Sequence, residues 1–288
     1  MTAISIIGAG KLGTSLGRIL SKKGYKILWI SDKDPAAARE SRRMIGRGKA
    51  TTDVARAAEH ASVIFLCVPD EEIARVAKRL AGARFEWKEK IVFHTSGIFS
   101  SKALMALKAK GASIGSFHPA QSFSRKDTPP RHFKKITIGL DGDARALDLA
   151  RKIIKKIGAS PVIVKPENKR LYHAACSLAS NLFIPLLDMA CELLEQAGIK
   201  KNKALKILLP LVEGTLQNVK HFDRAAALTG PIARGDSATV YAHLGALKKF
   251  PRARRAYRIL GAKALDLARK KNLPPKKIKN LSRMLEGK

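Results

Sequence analysis

The most constraining stretch of this chain lies at its start. Ala3-Ile4-Ser5-Ile6-Ile7 runs straight into Gly8-Ala9-Gly10-Lys11-Leu12-Gly13, and a helix-patterned segment continues to Leu20. A glycine triplet alone is weak evidence, because glycine is common. Here the setting supports it. A second apolar run, Lys26 to Ile30, leads into Ser31-Asp32-Lys33-Asp34-Pro35 and a helix rich in alanine and arginine, which completes a βαβ unit of the expected size. In such a unit the first glycine permits the tight turn. The second lets backbone approach a pyrophosphate, and the third lets helix pack closely on strand.

The turn therefore predicts an NAD(P) site, with the phosphates over the helix N-terminus and contacts from Gly8, Ala9, Gly10, Lys11, Leu12 and Gly13. Cofactor choice turns on the end of the second strand, where an acid would accept ribose hydroxyls and a base would meet a 2′-phosphate. Ser31 stands where the acid is expected, Asp32 follows, and Lys33 is available for phosphate, so NADP is favoured over NAD. Arg39, Arg42 and Arg43 on the next helix could assist, although solvation explains them equally well.

Further apolar runs at Ser62 to Val68, Ile91 to Phe93, Ser113 to Phe117, Lys135 to Leu140 and Ser160 to Val164 read as strands of a doubly wound, mostly parallel sheet. After Pro166 helical periodicity takes over. The expected organisation is α/β: a Rossmann domain over 1–165 and an all-helical domain over 166–288.

Of 288 residues, 56 are Lys or Arg, and the net charge is +33. Such a surface attracts polyanions whether or not it evolved to do so. The basic clusters lack aromatic interleaving and any finger or helix-turn-helix signature, so no specific nucleic-acid partner is expected. An anionic small-molecule substrate suits the charge. Counting consecutive apolar residues reveals no run of bilayer length, and the start at Met1-Thr2 carries no basic leader, so a cytoplasmic protein is expected, with no membrane partner. Cys67, Cys176 and Cys191 are odd in number and lie in apolar runs, which predicts buried thiols and neither disulfides nor a metal site.

Despite the abundance of basic residues, none occurs from Leu171 to Ile199, which predicts a buried helix kinked near Pro185. His173, Ser177, Ser180 and Asn181 share one face of it. Either a ligand or an internal hydrogen-bond network could satisfy that polar face. Ligands in open α/β sheets bind at the carboxyl ends of strands. Val68-Pro69, His94 with Ser96, and His118 with Pro119 fall there. Asp70 reads as a helix-start acid. Downstream, Thr229-Gly230-Pro231-Ile232-Ala233-Arg234-Gly235-Asp236 offers Arg234 for a carboxylate and Asp236 as a substrate contact or a helix cap.

The glycine turn, Phe117-His118-Pro119-Ala120-Gln121-Ser122-Phe123, Tyr172-His173 to Ser180-Asn181, and Thr229-Gly230-Pro231 to Arg234-Gly235-Asp236 stand in order along nearly the whole chain. Together they resemble the Rossmann-like proteins with a DUF2520 domain. Relatives of that family are the dehydrogenases with a 6-phosphogluconate-dehydrogenase-like helical C-terminal domain, including pyrroline-5-carboxylate reductase, prephenate dehydrogenase and ketopantoate reductase, and the resemblance implies that fold for the helical half. The resemblance implies NAD(P) binding and an oxidoreductase, without a settled substrate. Phosphogluconate-type enzymes place a lysine four residues before an asparagine in the first helix of the second domain. Here His173 and Ser177 stand at that spacing, so the lysine mechanism is not carried over.

The expected enzyme moves hydride between nicotinamide and a small anionic substrate held between its domains. His118 or His173 would serve as general acid/base, Ser96 and Asn181 would orient, Ser177, Arg234 and Asp236 would bind substrate, and Val68, Pro69, His94, Ser31 and Lys33 would contact cofactor. The helical half is the candidate dimerisation surface. A non-catalytic NAD(P) sensor and, more remotely, a nucleic-acid binder are the alternatives.

Overall fold

The computed structural model describes residues 2–286, which divide into two compact units between Asn181 and Leu182. The first unit opens with β1 (Ala3–Ile7), α1 (Lys11–Lys22), β2 (Lys26–Ser31), α2 (Pro35–Ile45), β3 (Lys49–Thr51) and α3 (Val54–Glu59). It continues through β4 (Val63–Leu66), α4 (Asp70–Ala81), β5 (Ile91–His94), α5 (Met105–Lys108) and β6 (Ser113–Pro119). It closes with β7 (Thr137–Gly142), α6 (Ala144–Ile157), β8 (Ser160–Ile163) and α7 (Lys169–Ala179). The strands form one sheet in the order β3-β2-β1-β4-β5-β6-β7-β8. Every pairing is parallel except that of β6 with β7.

The near-continuous apolar runs are explained by burial on both faces. Alternate residues feed two separate cores. Ile4, Ile6, Val63, Phe65 and Phe93 pack with Leu16 of α1, Ile45 of α2 and Ile153 of α6. Ile7, Ile64, Leu66 and Val92 pack with α3, α4 and α5 through Ala57, Ile73 and Leu107. The period of two along each strand thus places helices on both sides of the sheet. Only β3, three residues long and carrying Lys49, escapes the sequence pattern.

Two sequence expectations are revised. The first unit runs past residue 165 and keeps α7, because Lys169 is buried beside Asp141 and Ser116 of the sheet and Tyr172 lies against Gly139 of β7. The lysine-free segment is also neither continuous nor buried. It breaks at residues 180–182, with Pro185 in the first turn of α8 (Phe183–Gln196). Leu171, Leu178, Leu182 and Ile184 are 54 to 74% exposed. Absence of charge marks an apolar face, whether or not that face is buried. By composition Pro166–Gln196 is apolar enough to cross a bilayer, although a count of consecutive apolar residues misses it.

The second unit continues from α8 with α9 (Lys201–His221), α10 (Gly230–Arg234), α11 (Ser237–Ala246), α12 (Pro251–Arg269) and α13 (Pro275–Glu286). Its core joins Val240 and Leu244 of α11, Leu265 of α12, and Leu281 and Leu285 of α13.

The turn between β1 and α1 holds the tightest contact of the first unit. A Cβ on Gly13 would collide with the carbonyl oxygen of Gly8, a backbone atom that cannot step aside. Gly13→Ala is therefore expected to lower stability by about 1–3 kcal/mol, read as a fall in the urea midpoint with an unchanged slope.

Candidate functional site

The carboxyl ends of β1, β4, β5 and β6 share one edge of the sheet, because these strands are adjacent and parallel. At the first of them Gly8 has φ +104°, a conformation open to glycine, and a Cβ there would strike the backbone of Cys67. Gly10 caps α1 with no side-chain hydrogen bond, and a Cβ on it would project into open space. Asp34, Asp53 and Asp236 cap their own helices with side-chain oxygens. The first turn of α1 thus presents its amides with neither a side-chain cap nor an acid, the arrangement a phosphate requires.

Beside the turn lies a cavity of about 310 Å³ whose wall includes Gly8, Gly10, Asp32, Lys33, Val68, Pro69, Arg75 and Arg79. Five of these belong to the expected cofactor set. Ser31, also expected there, does not line the cavity: it is fully buried at the end of β2, and its carbonyl accepts a hydrogen bond from Gly8 N. The acid at the cavity is Asp32, which holds the turn in place. Its Oδ2 accepts from Ala9 N at 2.7 Å and its Oδ1 from Asp34 N at 3.1 Å. Ala9 is buried, Lys11 is exposed, and Leu12 packs against the core. Arg75 pairs with Glu72. Cys67, half-buried like Cys176 and Cys191, has its thiol pushed up to about 12 by burial.

Further along the same edge, His94 is fully buried and does not face a ligand. Its Nε2 lies 2.9 Å from Ser100 O, and its Nδ1 accepts from Ser96 N at 3.2 Å. One neutral tautomer satisfies both partners. Burial brings its pKa down to about 4. Ser96 is likewise structural, its Oγ accepting from Ile98 N and Phe99 N, each at 3.2 Å. Both side chains thus shape the loop that follows β5.

His118 emerges from β6 into a second cavity, of about 560 Å³, whose wall also carries Gln121, His173, Cys176, Ser177, Ser180 and Asn181. The polar stripe read from the sequence is therefore assembled at one hollow with the predicted acid/base histidines. The two imidazole centroids lie 5.9 Å apart, and His118 Nδ1 is 3.0 Å from the Tyr172 hydroxyl. Room for the rings comes from glycines. A Cβ on Gly97 would lie 2.6 Å from His173 Cδ2 and 2.7 Å from His118 Nε2, and one on Gly139 would lie 2.8 Å from the Tyr172 hydroxyl. Burial, then the positive charge of Lys169, lowers the His118 pKa to about 4. At neutral pH this imidazole is uncharged and can accept a proton.

In the second unit Arg234 is exposed at the end of α10. Asp236 caps α11, accepting from the amide and hydroxyl of Thr239 at 3.0 and 2.7 Å, so the cap reading replaces the substrate contact. Sequence reasoning missed Lys169, Asp141, Ser116 and Gly97. Lys169, four residues before His173 on one helical face, and an acid inside the apolar run of β7 were the available signals.

Residues 2–119 match the model of a Rossmann-like domain, and residues 136–264 match that of DUF2520, a domain of unknown function. The chain is a Rossmann-like and DUF2520 domain protein. A glycerol-3-phosphate dehydrogenase [NAD(P)+] from Limosilactobacillus reuteri is 23% identical over 80% of this chain. The match spans 65% of that relative's length. Among solved structures, a proposed NADP oxidoreductase from Bacteroides fragilis aligns with a TM-score of 0.75 at 24% identity, covering 92% of this chain and 98% of that one. A pyrroline-5-carboxylate reductase from Coxiella burnetii aligns with a TM-score of 0.61 at 21% identity, covering 97% and 98%. These likenesses agree in fold with the sheet and helical unit described above. In this protein the glycine turn and His118 fall within the Rossmann-like match, and Tyr172 to Asn181 within the DUF2520 match.

Both depressed histidines make stability depend on pH. Their folded values, about 4, lie below the ordinary 6.5, so between these limits the unfolded chain binds more protons. Stability is full above pH 6.5 and declines as pH falls toward 4. For His94 the loss is on the order of 3 kcal/mol. Urea midpoints at about pH 7 and about pH 4.5 are expected to differ accordingly, and His94→Asn is expected to narrow the gap.

Proposed function

We propose that this protein is an NAD(P)-dependent oxidoreductase that favours NADP and acts on a small anionic substrate. One observation carries the reading: an uncapped glycine turn and a polar hollow walled by His118 and His173 stand at the same edge of one mostly parallel sheet. Its named relatives, in sequence and in structure, are oxidoreductases.

Bound NAD(P) would supply or take up hydride at nicotinamide C4. The chain's own groups perform the rest. The amides at the start of α1 hold the pyrophosphate. His118 accepts the proton of a substrate hydroxyl as hydride leaves the same carbon, and returns it in the reverse direction. Ser177 and Asn181 offer hydrogen bonds that orient the substrate, and His173 stands beside His118 as the second titratable group of the hollow. That wall contains no carboxylate among the described residues, which suits an anion.

Preference for NADP follows from the charges at the first cavity. Both oxygens of Asp32 already accept backbone amides, whereas Lys33 and Arg79 line the same wall, and Arg39, Arg42 and Arg43 border a hollow on α2. Calorimetric titration at moderate salt is expected to give tighter binding of NADPH than of NADH. His118→Ala should retain that binding and lose hydride exchange by about 10²–10⁴-fold. Binding without exchange in the parent protein would identify a sensor instead, and no binding of either nucleotide would remove the reading altogether.

The helical unit supports a second proposal, a homodimer. Among the described residues α8 has no buried side chain and α9 only Ala204. Leu182, Ile184, Leu205, Leu211, Leu216 and Phe222 are each at least 44% exposed. Apolar faces of this extent mark association surfaces. Light scattering is expected to give twice the mass of one chain, and Leu211→Lys with Leu216→Lys to give a single chain.

A further inference from the structure

Under the His118 hollow lies a set of charged and polar groups that the proposed reaction does not use. Lys169 is 1% exposed, Ser116 is fully buried and Asp141 is 3% exposed. Lys169 Nζ donates to Ser116 Oγ at 2.6 Å and stands 3.4 Å from Asp141 Oδ1. Asp141 Oδ2 accepts from Ser101 N at 2.7 Å, while its Oδ1 accepts no hydrogen bond from the described residues. Ser116 Oγ in turn donates to Ser96 O at 3.4 Å. The ammonium lies 5.9 Å from the centroid of the Tyr172 ring, whose hydroxyl meets His118.

Stability does not account for this arrangement. A buried ion pair costs roughly as much in desolvation as it returns, and well-packed apolar residues commonly serve as well. Here the attraction is also imperfect, with one carboxylate oxygen left without a hydrogen bond. What distinguishes the pair is its place. It joins β6, β7 and α7, with its ammonium near the ring of the tyrosine whose hydroxyl meets His118.

We propose that Lys169 is a positioning residue, its ammonium clamped by Ser116 and Asp141 so that a fixed positive charge disfavours the imidazolium of His118 and holds the ring in its uncharged form. The groups that face His118 support this. Lys169 of α7, His173 of α7 and His94 of β5 all disfavour its protonated form, in addition to burial. Asp141 spends its charge on Lys169 and does not figure among them. Tyr172 contributes a neutral hydroxyl, and Gly97 brings the loop backbone against the ring without adding charge.

The inference rests on His118 as the acid/base group, but its test reads protonation directly and needs no substrate. Histidine ring resonances of the full-length protein are followed by NMR against pH, with His118 identified by its loss in His118→Asn. In Lys169→Gln with Asp141→Asn, both charges go while hydrogen-bonding groups remain, and the His118 midpoint is expected to rise by about one pH unit, roughly tenfold in protonated fraction. Lys169→Met with Asp141→Leu replaces the pair by apolar packing and is expected to give the same rise, so one folded double variant suffices. Lys169→Arg keeps the charge and should leave the midpoint low. An unchanged midpoint in a folded charge-free variant would assign the effect to burial alone and overturn the proposal. Loss of the acid/base reading would look different: His118→Ala would retain hydride exchange whatever the NMR titration shows.

Discussion

Backbone against backbone at Gly8 and Gly13 is the contact on which the first unit depends. Gly13 of α1 sits on the carbonyl of Gly8, and Gly8 sits on the backbone of Cys67 at the end of β4. The two contacts fix α1 relative to two strands with no side chain between them. The helix axis, the direction of its first amides and the spacing of β1 and β4 follow from this closeness. A larger residue at either position would push the helix away, and the cavity bordered by Val68 and Pro69 would lose one wall.

The same device recurs at the second cavity, where missing side chains create the space that larger ones fill. Gly97 yields to the rings of His118 and His173, and Gly139 to the ring of Tyr172. Three aromatic side chains from β6 and α7 thus reach one point without displacing the strands. Reversal of β7 contributes as well. Because β7 runs antiparallel to β6, Asp141 pairs with Ser116 across the ladder, which brings the acid to the serine that binds Lys169.

Periodicity was enough to read most of the fold. Alternation along β1, β4 and β5 and the glycine turn determine which faces are covered, and long runs such as Ile64 to Leu66 state that both are. A strand as short as Lys49–Thr51, with a lysine in it, carries no comparable pattern. At the candidate site, the grouping of His118, His173 and Ser177 was legible because helical spacing aligns two of them and a strand end presents the third, whereas Asn181 joins the hollow from the break after α7. His94 and Ser96 carried the same signals but turned inward to close a loop, since a polar side chain at a strand end serves backbone amides as readily as it serves a ligand. Lys169 and Asp141 were hidden for the opposite reason. In a chain with so many lysines, one more invites no attention until its burial is known. The basic-free stretch misled in a further way, because low charge reports an apolar surface and not which chain covers it.

Asp32 links the end of β2 to the glycine turn through Ala9 N while also forming part of the cavity wall beside Lys33. Under the proposed function, one carboxylate would then serve both nucleotide selection and the turn, and exchanging it to alter the preference would loosen the turn as well. Lys33, Arg79 and the exposed arginines of α2 lie outside that link, so a change of nucleotide preference would fall more easily on them.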